Sequence, residues 1–96
     1  MSATLTLPAV LTHAESAVFA SGLKPQMFAQ ALEVVADASA LRQFDSSALA
    51  LLLECRRHAQ AAGKGFSVLS APQRLRELAV LYGVLELIPA KAAAIA

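Results

Sequence analysis

The chain is short of the residues that most specialised chemistries require. It has a single cysteine, Cys55, which excludes an intramolecular disulfide framework and fits a reducing compartment. Neither charge sign dominates: eight Lys and Arg against seven Asp and Glu leave a formal +1. That balance offers no electrostatic footprint for nucleic acid and no basic belt for anionic lipid. No run approaches the roughly 20 apolar residues that cross a bilayer, so direct membrane insertion is not expected. Met1–Leu11 holds no Lys or Arg and lacks the charged n-region of a signal peptide. The only Gly-Lys-Gly, at positions 63–65, follows a predicted helix instead of opening one, so no phosphate-cradling loop is present. His13 and His58 fall on different predicted helices, with no His, Asp or Glu cluster at metal-ligand spacing. No metal, cofactor or catalytic residue is therefore expected.

What remains is 96 residues with 57% hydrophobic content, 22 of them alanine, which raises that figure without adding much core volume. Disorder is excluded at this hydrophobicity, and the length fits one small domain. A cytoplasmic, non-enzymatic globular domain is the expectation.

Ala3–Val10 carries alternating β-branched and apolar residues and predicts a strand that Pro8 demotes to an edge or ends early. Thr12-His13-Ala14-Glu15 predicts a capping box, opening a helix that Gly22 closes in the left-handed conformation. A further helical stretch is expected at Pro25–Ala31, and Leu32–Asp37 reads as a buried strand. Asp45-Ser46-Ser47 then caps a long helix closed by Gly63, with Arg56, Arg57 and His58 toward its negative end. Phe66–Leu69 predicts a third strand. Ser70–Gln73 is a second capping box, with Pro72 in the first turn of a helix that runs to Tyr82. The Ala-rich tail after Pro89 reads as a frayed helix. Strands alternating with helices imply an α/β layer with a largely parallel sheet.

On a helical wheel Ala48, Leu51, Leu52, Cys55, Ala59 and Ala62 fall within one arc of about 100°, the width of a core-facing stripe. Leu49 and Leu53 fall outside it, bordered by Arg56, Arg57 and Gln60. This second strip is either covered by another part of the chain or exposed as a docking face. The helix from Gln73 repeats the pattern: Leu75, Leu78, Ala79 and Tyr82 share one face, while Val80 and Leu81 lie off it. Cys55 reads as a small buried hydrophobe and His58 as a solvated side chain. The two lie about 60° apart on the wheel, so they make no nucleophile–base pair. Ser46 sits beside Asp45 at a helix N-terminus, where the dipole tolerates a phosphate of charge about −2. Asp45 or Ser46 also serves as a plain N-cap there.

The segment Val34–Leu53 (VVADASALRQFDSSALALLL) resembles the central signature of STAS domains, the fold of bacterial anti-sigma-factor antagonists. There a buried strand ends in Asp, a loop follows, and Asp-Ser-Ser opens the next helix. Leu78–Val84 (LAVLYGV) resembles in particular the small cytoplasmic STAS subunits of phospholipid-transport ABC complexes in Gram-negative bacteria. The resemblance covers roughly residues 4–89. It implies an α/β fold: one STAS-like domain over 1–96, with a small mixed, mostly parallel sheet, interspersed helices and a tail at 90–96. It further implies a non-enzymatic interaction module, docked on the ATPase subunit of an Mla-type transporter that maintains outer-membrane lipid asymmetry. Such a subunit is peripheral to the inner membrane through its partner. The alternative is an anti-sigma-factor antagonist whose kinase phosphorylates Ser46. The partner-binding residues expected from periodicity and resemblance together are Asp45, Ser46, Ser47, Leu49, Leu53, Arg57, Val80 and Leu81. Two departures from the family pattern stand out: Ala48 replaces a frequent Gly, which narrows the approach of a partner backbone, and Gly22 and Pro25 interrupt the first helix.

Overall fold

The computed structural model describes residues 2–23 and 28–91. In chain order the elements are β1 (Ser2–Thr6), β2 (Val10–Leu11), helix α1 (His13–Ser21), β3 (Glu33–Asp37) and β4 (Gln43–Phe44). Helix α2 (Ser46–Ala61), β5 (Gly65–Leu69), helix α3 (Gln73–Leu81), a 3-10 turn (Leu85–Leu87) and β6 (Ala90–Lys91) follow. The main sheet has the order β1-β3-β5-β6, every pair parallel, with Val34 opposite Ala3 on one side and Phe66 on the other.

Each connection in this sheet steps to the next strand in the same direction. Right-handed crossovers then place every crossover helix on one face. The core confirms it: Leu5, Val34, Ala36 and Val68 project from the sheet into a single cluster with Leu52, Cys55 and Ala59 of α2 and Leu75 and Ala79 of α3. The alternate residues, including Thr4, Glu33, Val35, Asp37 and Ser67, point to the opposite face. There Lys91 Nζ donates to Glu33 Oε1 at 2.8 Å. All-parallel sheets are mostly covered on both faces; this one carries described helices on one.

Several local expectations are corrected. Pro8 does end the first strand early, and the residues beyond it form β2, which pairs with β4 in a separate two-stranded sheet. The capping box at Thr12 does not form. Its hydroxyl donates to the Glu15 carboxylate instead of accepting the Glu15 amide, and α1 has no side-chain cap. Gly22 stays right-handed at φ −88°, because its N–H and that of Leu23 close tightened i→i−3 turns onto the Phe19 and Ala20 carbonyls, both at 3.1 Å. Gly63, at φ +74°, does adopt the left-handed conformation expected after α2. The second capping box fails because α3 starts after Pro72, whose carbonyl accepts from Leu75 and Arg76. Ser70 lies too far upstream to cap it and sits at φ +56°. The helix expected at Pro25–Ala31 falls partly outside the described residues; 28–30 form a turn on the fully buried Phe28. The expected tail helix is a strand at its start, since Ala90 and Lys91 pair with Val68 and Leu69; 92–96 lie outside the described residues.

Candidate functional site

The tip of α2 is fixed from below. The Arg42 and Gln43 amides both donate to the Ala9 carbonyl, at 2.8 and 2.9 Å, so the β2–β4 pair clamps the loop that leads into the helix. Asp45 then caps the helix through an Oδ1 that accepts the Ser47 amide at 2.8 Å. Ser46, the first helical residue, is exposed. At the end of β3 the Asp37 carboxylate accepts the Ser39 amide at 2.9 Å, and that bond holds its carboxyl below the usual range.

The exposed apolar strip expected on α2 is not there. Leu49 is 2% exposed and belongs to the core, and Leu53 is half-buried and packed against it. The reason lies in neighbours: α1 flanks α2 on one side and α3 on the other, so residues off the sheet-facing arc still meet protein. Ala48 is fully buried as well, so its methyl faces the core and not an incoming backbone. Arg57 is exposed and pairs with Glu54 one turn away.

The surplus apolar surface sits on α3 instead. Val80, Leu81 and Tyr82 are 60%, 76% and 55% exposed. Between α3 and the α2 tip runs an open groove of about 440 Å³. Phe44, Asp45 and Ser46 form one wall, and Arg74, Glu77, Leu78, Leu81 and Tyr82 form the other. The Arg74 guanidinium lies 5.5 Å from the Phe44 ring centroid, a cation–π contact that ties the two walls together. The fold therefore brings Asp45, Ser46 and Leu81 to one site. Ser47 instead faces α1 near His13, and Val80 faces the far flank of α3 near Leu85. Phe44, Arg74 and Glu77 were missed from the sequence, and Leu78 and Tyr82, expected on the core face of α3, line the groove as well, Tyr82 because it lies at the exposed end of the helix. Arg74, Glu77, Leu78 and Leu81 share a helix face at the spacing i, i+3, i+4, i+7, and that periodicity was the available signal.

The arrangement suits adhesion better than chemistry. Burial, and next the Glu54 charge, push the Cys55 thiol up to about 12, which leaves it protonated and unreactive at neutral pH. His58 Nε2 lies 3.2 Å from Glu54 on a half-buried flank, less solvated than expected. Among the described residues no group of three or more His, Cys, Asp or Glu comes together to hold a metal. No described helix is long and apolar enough to cross a membrane.

A protein-family model described as Mlab, STAS domain, matches residues 1–89. The chain belongs to the STAS domain family. Its small α/β fold, with a parallel four-stranded sheet and three α-helices among the described residues, is that of a STAS domain. STAS domains are in general non-catalytic regulatory modules that bind partner proteins. No curated protein matches the chain.

Proposed function

We propose that the chain is a non-enzymatic accessory subunit that docks on the ATPase of an Mla-type phospholipid-transport ABC complex, through the groove between the α2 tip and α3. In this reading it is a single cytoplasmic domain, held at the inner membrane by its partner. The observation that carries the site is the pair of large exposed side chains Leu81 and Tyr82, which line a groove with the capped and serine-bearing tip of α2. Exposed apolar surface with a polar rim marks protein contact, and here Asp45, Arg74 and Glu77 supply the rim. The match to the Mlab description supports a partner-binding role, and we read that partner as the transporter ATPase.

Of the residues expected at the interface, Asp45, Ser46 and Leu81 line this groove, while Leu49 acts from within by supporting the tip. Co-purification with the ATPase subunit tests the reading. Leu81→Asp is expected to lower capture at least about tenfold, equivalent to about 1.4 kcal/mol, while leaving the fold intact. Undiminished capture by a folded Leu81→Asp variant overturns the site. The exposed Ser46 hydroxyl also suits the rival, a phospho-switched anti-sigma-factor antagonist. Incubation with anti-sigma kinases and ATP distinguishes it, since a mass gain confined to Ser46 favours the switch.

A further inference from the structure

We propose that the chain pairs with a second copy of itself through the outer edge of β1. The two edges of the main sheet differ sharply. β6, described at Ala90–Lys91, carries the charged Lys91, and charge on an edge strand discourages pairing. β1 is five residues, Ser-Ala-Thr-Leu-Thr, with no charge and no proline. No described strand lies outside it.

Backbone geometry makes that edge self-complementary. The Leu7 amide donates to the Asp37 carbonyl at 2.9 Å, so Leu7, and with it Leu5 and Ala3, turn their polar groups toward β3. Ser2, Thr4 and Thr6 therefore aim N–H and C=O outward. If two β1 strands run antiparallel with Thr4 on the two-fold axis, Thr4 faces Thr4 and Ser2 faces Thr6. Each of these is a pair of the kind that exchanges both N–H···O bonds. Every outward backbone group of the strand is then satisfied, and no like charges meet.

The helix layer adds apolar area on the same flank. α1 turns His13, Ser16, Ala17 and Ala20 toward α2, and Ala14, Glu15, Val18 and Phe19 line its other flank together with the Pro8–Val10 segment that follows β1. Val18 is 73% exposed and borders a mostly apolar groove of about 540 Å³ formed with Pro8, Val10 and Phe19, with Glu15 as its charged member. A two-fold axis perpendicular to the sheet keeps both helix layers on one side and sets the two α1 helices next to each other, antiparallel. Glu15, whose carboxylate accepts from the Thr12 hydroxyl, brings one negative charge per copy to this flank. A second copy thus meets an unpaired strand with a strand and an apolar helix flank with its like.

Sedimentation equilibrium of the full chain, from about 5 to about 300 µM, tests the proposal. The interface is of the small class, below about 1,200 Å², so micromolar association is expected. The mass should rise with concentration from 10.0 kDa toward twice that value. Thr4→Pro removes only an outward amide and is tolerated on an edge strand, so it should keep the fold and weaken association at least about tenfold. Val18→Asp should weaken it without touching the strand, and this second variant keeps the test decisive should Thr4→Pro unfold. Leu81→Asp, on the opposite flank, should leave it unchanged, which separates this interface from the ATPase groove. A chain that stays monomeric throughout, as it would if β1 were reserved for a different protein, overturns the proposal. So does a dimer that neither Val18→Asp nor folded Thr4→Pro weakens.

Discussion

Helices α2 and α3 look alike on a wheel, each with a core stripe and surplus apolar residues beside it, yet they end in opposite situations. On α2 the surplus is taken up by the domain itself, and Leu49 has almost no contact with water. On α3 it stays outside, as Val80 and Leu81. The difference is position in the layer. α2 lies over the central strands β3 and β5 with a helix on each side, whereas α3 lies at the flank, with α2 and the 3-10 turn as its neighbours. An amphipathic pattern thus says how much apolar surface a helix carries. Its neighbours decide how much of that surface is left for a partner.

The sharpest test of this contrast is a matched pair of truncations. Leu49→Ala is expected to destabilise the fold by about 2–5 kcal/mol in urea denaturation, the range for leucines lost from a packed core. Leu81→Ala is expected to stay within about 0.5 kcal/mol, as surface changes do. Equal losses at both positions would break the comparison.

A smaller effect is expected at the helix starts. Asp45→Ala removes the side-chain acceptor of α2 and should cost about 1 kcal/mol of thermal stability. α3 has no such side-chain bond, so Ser70→Gly, which relaxes a residue at φ +56°, should change stability by less than about 0.5 kcal/mol.

The buried face of α2 also has a chemical signature. The Cys55 thiol is raised to about 12, against about 8.5 in an unfolded chain. Because the folded pKa is the higher one, its contribution is fully present below about pH 8.5 and is lost as pH rises from there toward 12. Cys55→Ala is expected to flatten that alkaline decline in a pH series of melting temperatures. At pH 8 a thiol reagent should label wild-type Cys55 only at the rate of global opening, and rapid labelling would show that this face of α2 is not buried.

The smallest expected effect is at the other end of the pH scale. Asp37 has its carboxyl lowered by the Ser39 amide, so its contribution is present above the ordinary carboxylate range and is lost as pH falls through its depressed folded value. Asp37→Asn should remove that part of the acid sensitivity in an acid titration followed by circular dichroism.

Much of the fold was legible locally. The stripe Leu51, Leu52, Cys55, Ala59 names the buried side of α2, and Asp45 before two serines names its start, because both depend on residues within a turn or two of each other. β3 and β5 announced themselves as short apolar runs between turn residues. β4 and β6 did not: two-residue strands exist only because β2 and β5 hold them in register. The capping boxes failed on local alternatives: a competing side-chain bond at the first, and a helix that starts after Pro72, beyond the reach of Ser70, at the second. Thr12 went to a carboxylate and Gln73 to Glu77. Of the site, the α2 tip was readable, but Phe44 and Arg74 entered only when the fold set α3 against that tip.

Composition and periodicity alone determined a small α/β chain with apolar helices and a capped serine-bearing helix start. Those properties follow from composition and from neighbours in the chain. Which leucines face water, which wall Arg74 crosses to and which sheet edge stays open were decided by tertiary structure. They depend on the order in which parallel strands stack, and in a singly wound sheet that order puts one helix in the middle and leaves another at the rim.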